Sequence, residues 1–223
     1  MDMSKIKAII YDVDGTMVNS EPIHVGAWNK ALLNYGYSLQ NLSESFRQTM
    51  AGRKPVVIAE EMVNRLLLSV SSQQLLDTKS QIFLQIAQKD LKAMPGVLES
   101  VERFNRAGYK LGIGTSLDRS YLDHVLDKID VSKFFDAIVT GDQITHGKPN
   151  PETYLKVAEK LGLTPMECLV IEDAETGIAS AKAAGSICVA IMNSEALIQN
   201  TSGADFTLGS LDELTIELIL SLG

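Results

Sequence analysis

Cysteine is scarce in this chain of 223 residues, which has only Cys168 and Cys188. Both lie in or beside short apolar runs, so we expect reduced thiols in a core rather than a disulfide framework. Their spacing also excludes a zinc site built from cysteines. A chain of this length buries a core large enough to fold without disulfides.

Long apolar segments and an excess of basic charge are also missing. No apolar run is long enough to cross a bilayer, and the first residues show no apolar segment of a secretion signal. The formal net charge is -8. A phosphate backbone requires a basic face, so this balance disfavours nucleic acid as a partner. We expect a soluble, cytoplasmic protein that acts as a monomer and binds neither nucleic acid nor a membrane.

Short apolar runs alternate with helical patterns over most of the chain. The apolar runs predict strands at residues 5–11, 109–114, 137–139, 168–171, 187–191 and 205–208. Apolar residues at helical spacing predict helices between them, at residues 96–107, 119–129, 151–161 and 176–184. This alternation is typical of an α/β fold with a doubly wound parallel sheet and helices on both faces.

The segment after the first strand has a different pattern. It contains no strand pattern, and its apolar spacing predicts helices at residues 22–36, 55–68 and 72–93. We therefore predict a helical domain inserted at residues 19–92. An α/β core domain is formed by residues 1–18 and 93–223. Pro95-Gly96 marks the break where the chain returns to the core.

Polar residues follow the predicted strands at the edge where an open parallel sheet binds its ligand. They are Asp12, Asp14, Thr115, Ser116, Asp142 after Gly141, Glu172 and Asp173, together with Lys148 in a nearby loop. Ionised carboxylates cannot share a small space unless cations neutralise them. Hard oxygen ligands suit Mg²⁺, and Lys148 adds a further positive charge.

The spacing of Asp12 and Asp14 indicates phosphoryl transfer. A carboxylate can attack phosphorus and form an aspartyl-phosphate, so Asp12 is the predicted nucleophile. Asp14 is the predicted acid and then base, because residues two apart in an extended segment point the same way. Thr115 and Ser116 precede a predicted helix, where a hydroxyl and free amides can hold phosphate oxygens.

These motifs, in this order, resemble those of the haloacid dehalogenase superfamily. The matching residues are Asp12-Val-Asp14-Gly-Thr16, Thr115 after its strand, Lys148 in "HGKPNPETY" and Glu172-Asp173 in "VIEDAETGIASAKAAG". The helical insertion and "NSEPIH" resemble the four-helix cap of the β-phosphoglucomutase-like subgroup. The resemblance implies Mg²⁺ bound by Asp12, the main-chain carbonyl of Asp14 and Asp173, with Glu172 assisting.

The resemblance also separates several activities. Dehalogenases and phosphonatases of this superfamily lack an aspartate at the position of Asp14, so its presence favours phosphate esters. The implied function is a phosphatase that hydrolyses a sugar phosphate or a nucleoside monophosphate through an aspartyl-phosphate. A hexose-phosphate mutase is the alternative, but Ala51 and Pro55 stand where the mutase has a lysine and an arginine. A third hypothesis is a phosphoaspartate switch similar to response-regulator receivers, although the helical insertion disfavours it.

Residues of the inserted domain are candidates for substrate contacts. Gly52, Arg53 and Lys54 lie in "MAGRK", a stretch similar to the pseudouridine-phosphate phosphatases of the subgroup. His24 has two possible roles. It either packs on a helix face at the domain junction or relays a proton near Asp14.

Overall fold

The structure is a computed structural model and describes residues 6–50, 53, 55–192 and 200–221. Its α/β architecture confirms the predicted fold class. Within the described residues, a six-stranded sheet has the order β3-β2-β1-β4-β5-β6, and every neighbouring pair is parallel. The strands are β1 (Ala8–Tyr11), β2 (Lys110–Gly114), β3 (Ala137–Val139), β4 (Cys168–Glu172), β5 (Ile187–Ile191) and β6 (Phe206–Leu208).

The chain divides into two compact units, Met1–Asn19 with Lys92–Gly223 and Ser20–Leu91. These limits differ by one residue from the predicted boundaries. The described helices of the second unit are α1 (Glu21–Leu33), α2 (Glu44–Gln48), α3 (Pro55–Leu66) and α4 (Ser72–Asp90). Those of the first unit are α5 (Val97–Arg106), α6 (Arg119–Lys128), α7 (Glu152–Leu161), α8 (Glu175–Ala184) and α9 (Ile216–Ser221).

The strand β1 lies at the centre of the sheet, and all of its side chains are fully buried. This explains its continuous apolar run, which is typical of a parallel strand covered on both faces. In the register of the sheet, Tyr11 pairs with Ile113 of β2 and with Ile171 of β4. The next residue, Asp12, is therefore flanked by the ends of both neighbouring strands.

Each unit has its own hydrophobic core. In the α/β unit, Tyr154 and Val157 of α7 pack with Ile10 and Val170 of the sheet. Cys168 and Cys188 belong to the same core as free thiols, as the sequence predicted. In the helical unit, the core includes Trp28, Leu32, Phe46, Met62 and Leu75.

None of the helices in residues 6–50, 55–192 and 200–221 is both long and apolar enough to cross a membrane.

Candidate active site

The first polar residue after β1 remains hydrogen-bonded to the sheet. The amide of Asp12 donates to the carbonyl of Ile171, at 3.0 Å. The chain then turns sharply: the amide of Met17 donates to the carbonyl of Val13 at 2.8 Å, and that of Gly15 to Val18 at 2.8 Å. Gly15 has a φ of +87°, which side chains disfavour. The turn therefore holds Asp12 at the carboxyl edge of the sheet and directs Asp14 into the loop beyond it.

An acidic cluster forms where β1 and β4 end. One carboxylate oxygen each from Asp12, Glu172 and Asp173 lies within 4.8 Å of the other two. Asp12 and Glu172 are buried. Because these residues end adjacent parallel strands, the fold brings together carboxylates that are distant in sequence. The carboxylate of Asp14 lies outside this group.

Lys148 reaches into the cluster from its loop, and its side chain is only 7% exposed. Its Nζ lies 2.5 Å from Oδ1 of Asp12 and 2.6 Å from Oε1 of Glu172. It also donates to the carbonyl of Gly114 at 3.1 Å, at the end of β2. One ammonium group thus connects the ends of three adjacent strands, β2, β1 and β4.

The electrostatics of the cluster are unbalanced, because three carboxylates face one ammonium group. Burial and the neighbouring acids Glu172 and Asp173 raise the pKa of Asp12 well above its usual range, although Lys148 opposes them. Burial, and then Glu172, raise the pKa of Asp173 to about 7. Burial alone would lower the pKa of Lys148, but Asp12 and Glu172 raise it. The cluster therefore retains an excess of negative charge when its groups are ionised.

Both oxygens of Glu172 accept hydrogen bonds from protein groups. Oε1 accepts from Lys148 and, at 2.5 Å, from the hydroxyl of Tyr154. Oε2 accepts from the amides of Asp173 and Ala174, at 3.1 and 3.3 Å. Glu172 therefore contacts Lys148, Tyr154 and the main chain that follows it, and its role in assisting the metal stays a prediction.

Two further residues shape the cluster and were missed as site residues in the sequence. Tyr154 donates to Glu172, and Nζ of Lys148 lies 4.9 Å from the centre of its ring. A β-carbon on Gly177 would lie 1.8 Å from Oε1 of Glu172, so only glycine leaves space for this carboxylate. The one sequence signal for Tyr154 was its place in "HGKPNPETY". Gly177 lies among the small residues of "VIEDAETGIASAKAAG".

The chain after β2 carries the two predicted phosphate ligands. Thr115 is buried, its amide donates to the carbonyl of Val139 at 3.0 Å, and its Oγ1 accepts from the amide of Leu117. Ser116 is exposed. The segment directly precedes α6, whose N-terminus is capped by Asp118 through the amide of Tyr121. A hydroxyl and main-chain amides are thus present at a helix N-terminus, which is a favourable position for an anion.

The donor set of the cluster is suited to a hard divalent cation. Its ligand atoms are carboxylate oxygens, the type that Mg²⁺ prefers. The excess negative charge is what a divalent cation would neutralise. A β-carbon on Gly15 would lie 2.0 Å from Oδ2 of Asp173, so the carboxylate is held against the main chain of the loop that carries Asp14. The residues present therefore fit the predicted metal.

In the helical unit, His24 pairs with a buried lysine. Nζ of Lys79, which is 4% exposed, lies 2.8 Å from Nδ1 of His24. The imidazole stacks on Phe83, with 4.2 Å between the ring centres. Burial, and then the charge of Lys79, lower the pKa of His24 to about 3. The ring is therefore neutral, and with Nδ1 as the acceptor its proton is on Nε2. A role of His24 beside Asp14 stays a prediction.

The other candidate contacts lie between α2 and α3. Arg53 forms a salt bridge with Glu61, which also accepts from Arg65 at 3.2 Å. Its guanidinium is thus oriented by a carboxylate of its own unit. Gly52 and Lys54 lie outside the described residues.

A family model described as "Haloacid dehalogenase-like hydrolase" matches residues 9–191 of this chain. The chain is 30% identical to a phosphorylated carbohydrates phosphatase of Thermotoga maritima, over 81% of this chain and 82% of that protein. It is 28% identical to hexitol phosphatase B of Escherichia coli, over 97% of each chain.

The fold also occurs in solved structures. The crystal structure of β-phosphoglucomutase from Clostridium difficile superposes with a TM-score of 0.78. The two chains share 23% identity, and the match covers 97% of this chain and 96% of that one. This similarity shows a common fold.

Proposed function

The chain belongs to the family of haloacid dehalogenase-like hydrolases, and we propose that it is a magnesium-dependent phosphatase of small phosphorylated sugars or sugar alcohols. The observation that carries the proposal is the contact between Asp12 and Lys148 at 2.5 Å, within a cluster of excess negative charge. Phosphoryl transfer requires mainly positioning and charge neutralisation, and this site supplies both. The named activities of the two phosphatases favour sugar phosphates over nucleoside monophosphates.

In the first step, a carboxylate oxygen of Asp12 forms a bond to phosphorus while the bond from phosphorus to the ester oxygen breaks. The electron pair leaves with the ester oxygen, which takes a proton from Asp14. Lys148 stabilises the charge on the phosphoryl oxygens, and Thr115 and Ser116 donate hydrogen bonds to them. The product is an aspartyl-phosphate on Asp12 and a free sugar.

In the second step, Asp14 is ionised and takes a proton from water. The water oxygen attacks phosphorus, and the bond between phosphorus and Asp12 breaks, releasing inorganic phosphate. Asp12, the main-chain carbonyl of Asp14 and Asp173 would hold Mg²⁺, which supplies positive charge to the phosphoryl group when bound. Glu172 keeps Lys148 directed at Asp12 through both steps.

The test is phosphate release by the purified chain from a panel of hexose, hexitol and nucleoside monophosphates, with Mg²⁺ and with EDTA. We expect Mg²⁺-dependent turnover of sugar or hexitol phosphates. Asp12→Asn should abolish turnover, because an amide is not a nucleophile for phosphorus. Asp123→Asn, the same change at a half-exposed position of α6, is the control and should retain it. Turnover by the Asp12 variant would contradict the role of Asp12 as the nucleophile.

The same assay decides between the phosphatase and the alternatives. Conversion of β-glucose 1-phosphate to glucose 6-phosphate with a bisphosphate primer, without net release of phosphate, would favour the mutase. Absence of turnover over the whole panel would favour a phosphoaspartate switch.

A further inference from the structure

The loop that carries Lys148 is exposed, but the lysine itself is not. Thr145, His146 and Gly147 are exposed before it, and Pro149 and Asn150 after it. The side chain of Lys148 is 7% exposed and directed into the acidic cluster. An exposed loop with few buried apolar contacts is usually mobile. Other groups must therefore hold the main chain of this loop.

A single carboxylate fixes the segment that leads into Lys148. Oε1 of Glu152 accepts from the amide of Thr145 at 2.9 Å and from Nζ of Lys156 at 2.6 Å. Oε2 accepts from the amide of His146 at 2.8 Å and from its Nδ1 at 3.2 Å. Hydrogen bonds to an ionised acceptor are stronger than neutral ones. Lys156, and then the two amides, lower the pKa of Glu152 to about 2, so the carboxylate is ionised at neutral pH.

The segment that follows Lys148 is held from the same helix. The amide of Glu152 donates to Oδ1 of Asn150 at 3.0 Å, and the amide of Asn150 donates to the carbonyl of Gly147 at 3.1 Å. Oγ of Ser180 on α8 donates to the carbonyl of Asn150 at 2.7 Å. Glu152 thus contacts the loop on both sides of the lysine, once through its carboxylate and once through its amide.

We propose that Glu152 is a positioning residue that holds the loop so that Nζ of Lys148 lies against Asp12, an inference that rests on the proposed phosphatase function for its effect on rate. A charged group acts in phosphoryl transfer only when it is held close to its productive position. The helix α7 then positions two groups of the site. Glu152 fixes the loop of Lys148, and Tyr154 fixes Glu172, to which Lys148 is bonded.

The first test measures the position of Lys148 without using activity. The full chain and the variant Glu152→Gln are treated with acetic anhydride, and acetylation of each lysine is measured by peptide mass spectrometry. We expect acetylation of Lys148 to rise severalfold in the variant, because an amide cannot accept all the donors that face Glu152. Glu159→Gln, the same change on the exposed side of α7, is the control and should match the wild type. Lys79, buried in the helical unit, reports general unfolding and should not change.

The second test separates positioning from stability by a double-mutant cycle on kcat. We expect Glu152→Gln to lower kcat by about 10- to 100-fold in the wild-type background, since small displacements of a catalytic group have effects of this size. In the Lys148→Gln background, the same change should have little further effect, because its target is gone.

Additive effects in the cycle, or unchanged acetylation of Lys148 in Glu152→Gln, would overturn the proposal. A wild-type chain that hydrolyses no phosphate ester would overturn the proposed function instead. In that case the acetylation of Lys148 still decides whether Glu152 holds the loop.

Discussion

Oδ2 of Asp173 packs against Gly15 so closely that a β-carbon on residue 15 would lie only 2.0 Å from this oxygen. The loop after β1 and the end of β4 thus approach each other directly, and glycine is the residue that permits it. Gly15 also has a φ of +87°, which disfavours any side chain. The contact between Gly15 and Asp173 places a predicted metal ligand beside the main chain of Asp14.

The variant Gly15→Ala should therefore lose both stability and affinity for Mg²⁺. We expect the affinity to fall by about 10- to 100-fold, the range found when groups that orient metal ligands are displaced. The measurement is a titration of activity and of melting temperature with Mg²⁺. Gly108→Ala is the matched control, because Gly108 has a φ of +84° but open space around it. It should lose about 1–2 kcal/mol through backbone strain alone. Equal Mg²⁺ affinities in the two variants would contradict the role of the Gly15–Asp173 contact.

The hydroxyl of Tyr154 should contribute to both stability and activity. The variant Tyr154→Phe removes the hydrogen bond to Glu172, and a bond to a charged group contributes about 1.5–3 kcal/mol. We expect a lower free energy of unfolding in urea and a lower kcat, because Glu172 then holds Lys148 less firmly. Tyr11→Phe is the control: it removes another buried hydroxyl, which bonds Ser100 at 3.1 Å in the same unit. If both variants retained the wild-type kcat, Tyr154 would have no role in the site.

Asp14 should be more important for proton transfer than for binding the metal. We expect Asp14→Asn to lower kcat by about 10²- to 10⁴-fold, the range for loss of a general acid or base. The expected metal ligand is the main-chain carbonyl of Asp14, which the substitution retains. The measurement combines steady-state kinetics with a Mg²⁺ titration of the melting temperature. A loss of Mg²⁺ affinity as large as that of Asp173→Asn would contradict this division of roles.

The pair formed by His24 and Lys79 predicts a dependence of stability on acid pH. The pKa of His24 is about 3 in the folded chain, against an ordinary value of 6.5. Between these values the unfolded chain binds the proton and the folded chain does not. The contribution of His24 to stability is therefore complete above pH 6.5 and is lost as the pH falls towards 3. The slope is at most about 1.4 kcal/mol per pH unit.

The measurement is the free energy of unfolding from pH 7 to pH 4 for the wild type and for His24→Gln. The variant has no imidazole at this position, so its stability should decrease less steeply with falling pH. His124→Gln, a change at an exposed position on α6, is the control and should follow the wild type. Equal slopes for the wild type and His24→Gln would show that His24 titrates normally in the folded chain.

Much of the fold follows from local patterns of residues. The strands β3 and β5 have the bounds that their apolar runs predict, and the helical insertion follows from its spacing of apolar residues. The helix α2 was missed because it has only five residues, too few to show a period. Ser43 caps its N-terminus, because Oγ of Ser43 accepts from the amide of Phe46. The burial of Phe46 in the core of its unit stabilises the helix further.

The sequence by itself determined the family and the order of the polar residues that follow the strands. Asp12, Asp14, Lys148 and Glu172-Asp173 are recognisable because each stands at a fixed place relative to a local element. Only the tertiary structure decided which of them are in contact. Lys148 and Asp12 are 136 residues apart in sequence, and no local pattern connects them. The same holds for Tyr154 and Glu172, which are 18 residues apart, and for Lys79 and His24, which are 55 residues apart. These contacts depend on parallel strands and packed helices that bring distant residues to one place, which chain spacing alone does not specify.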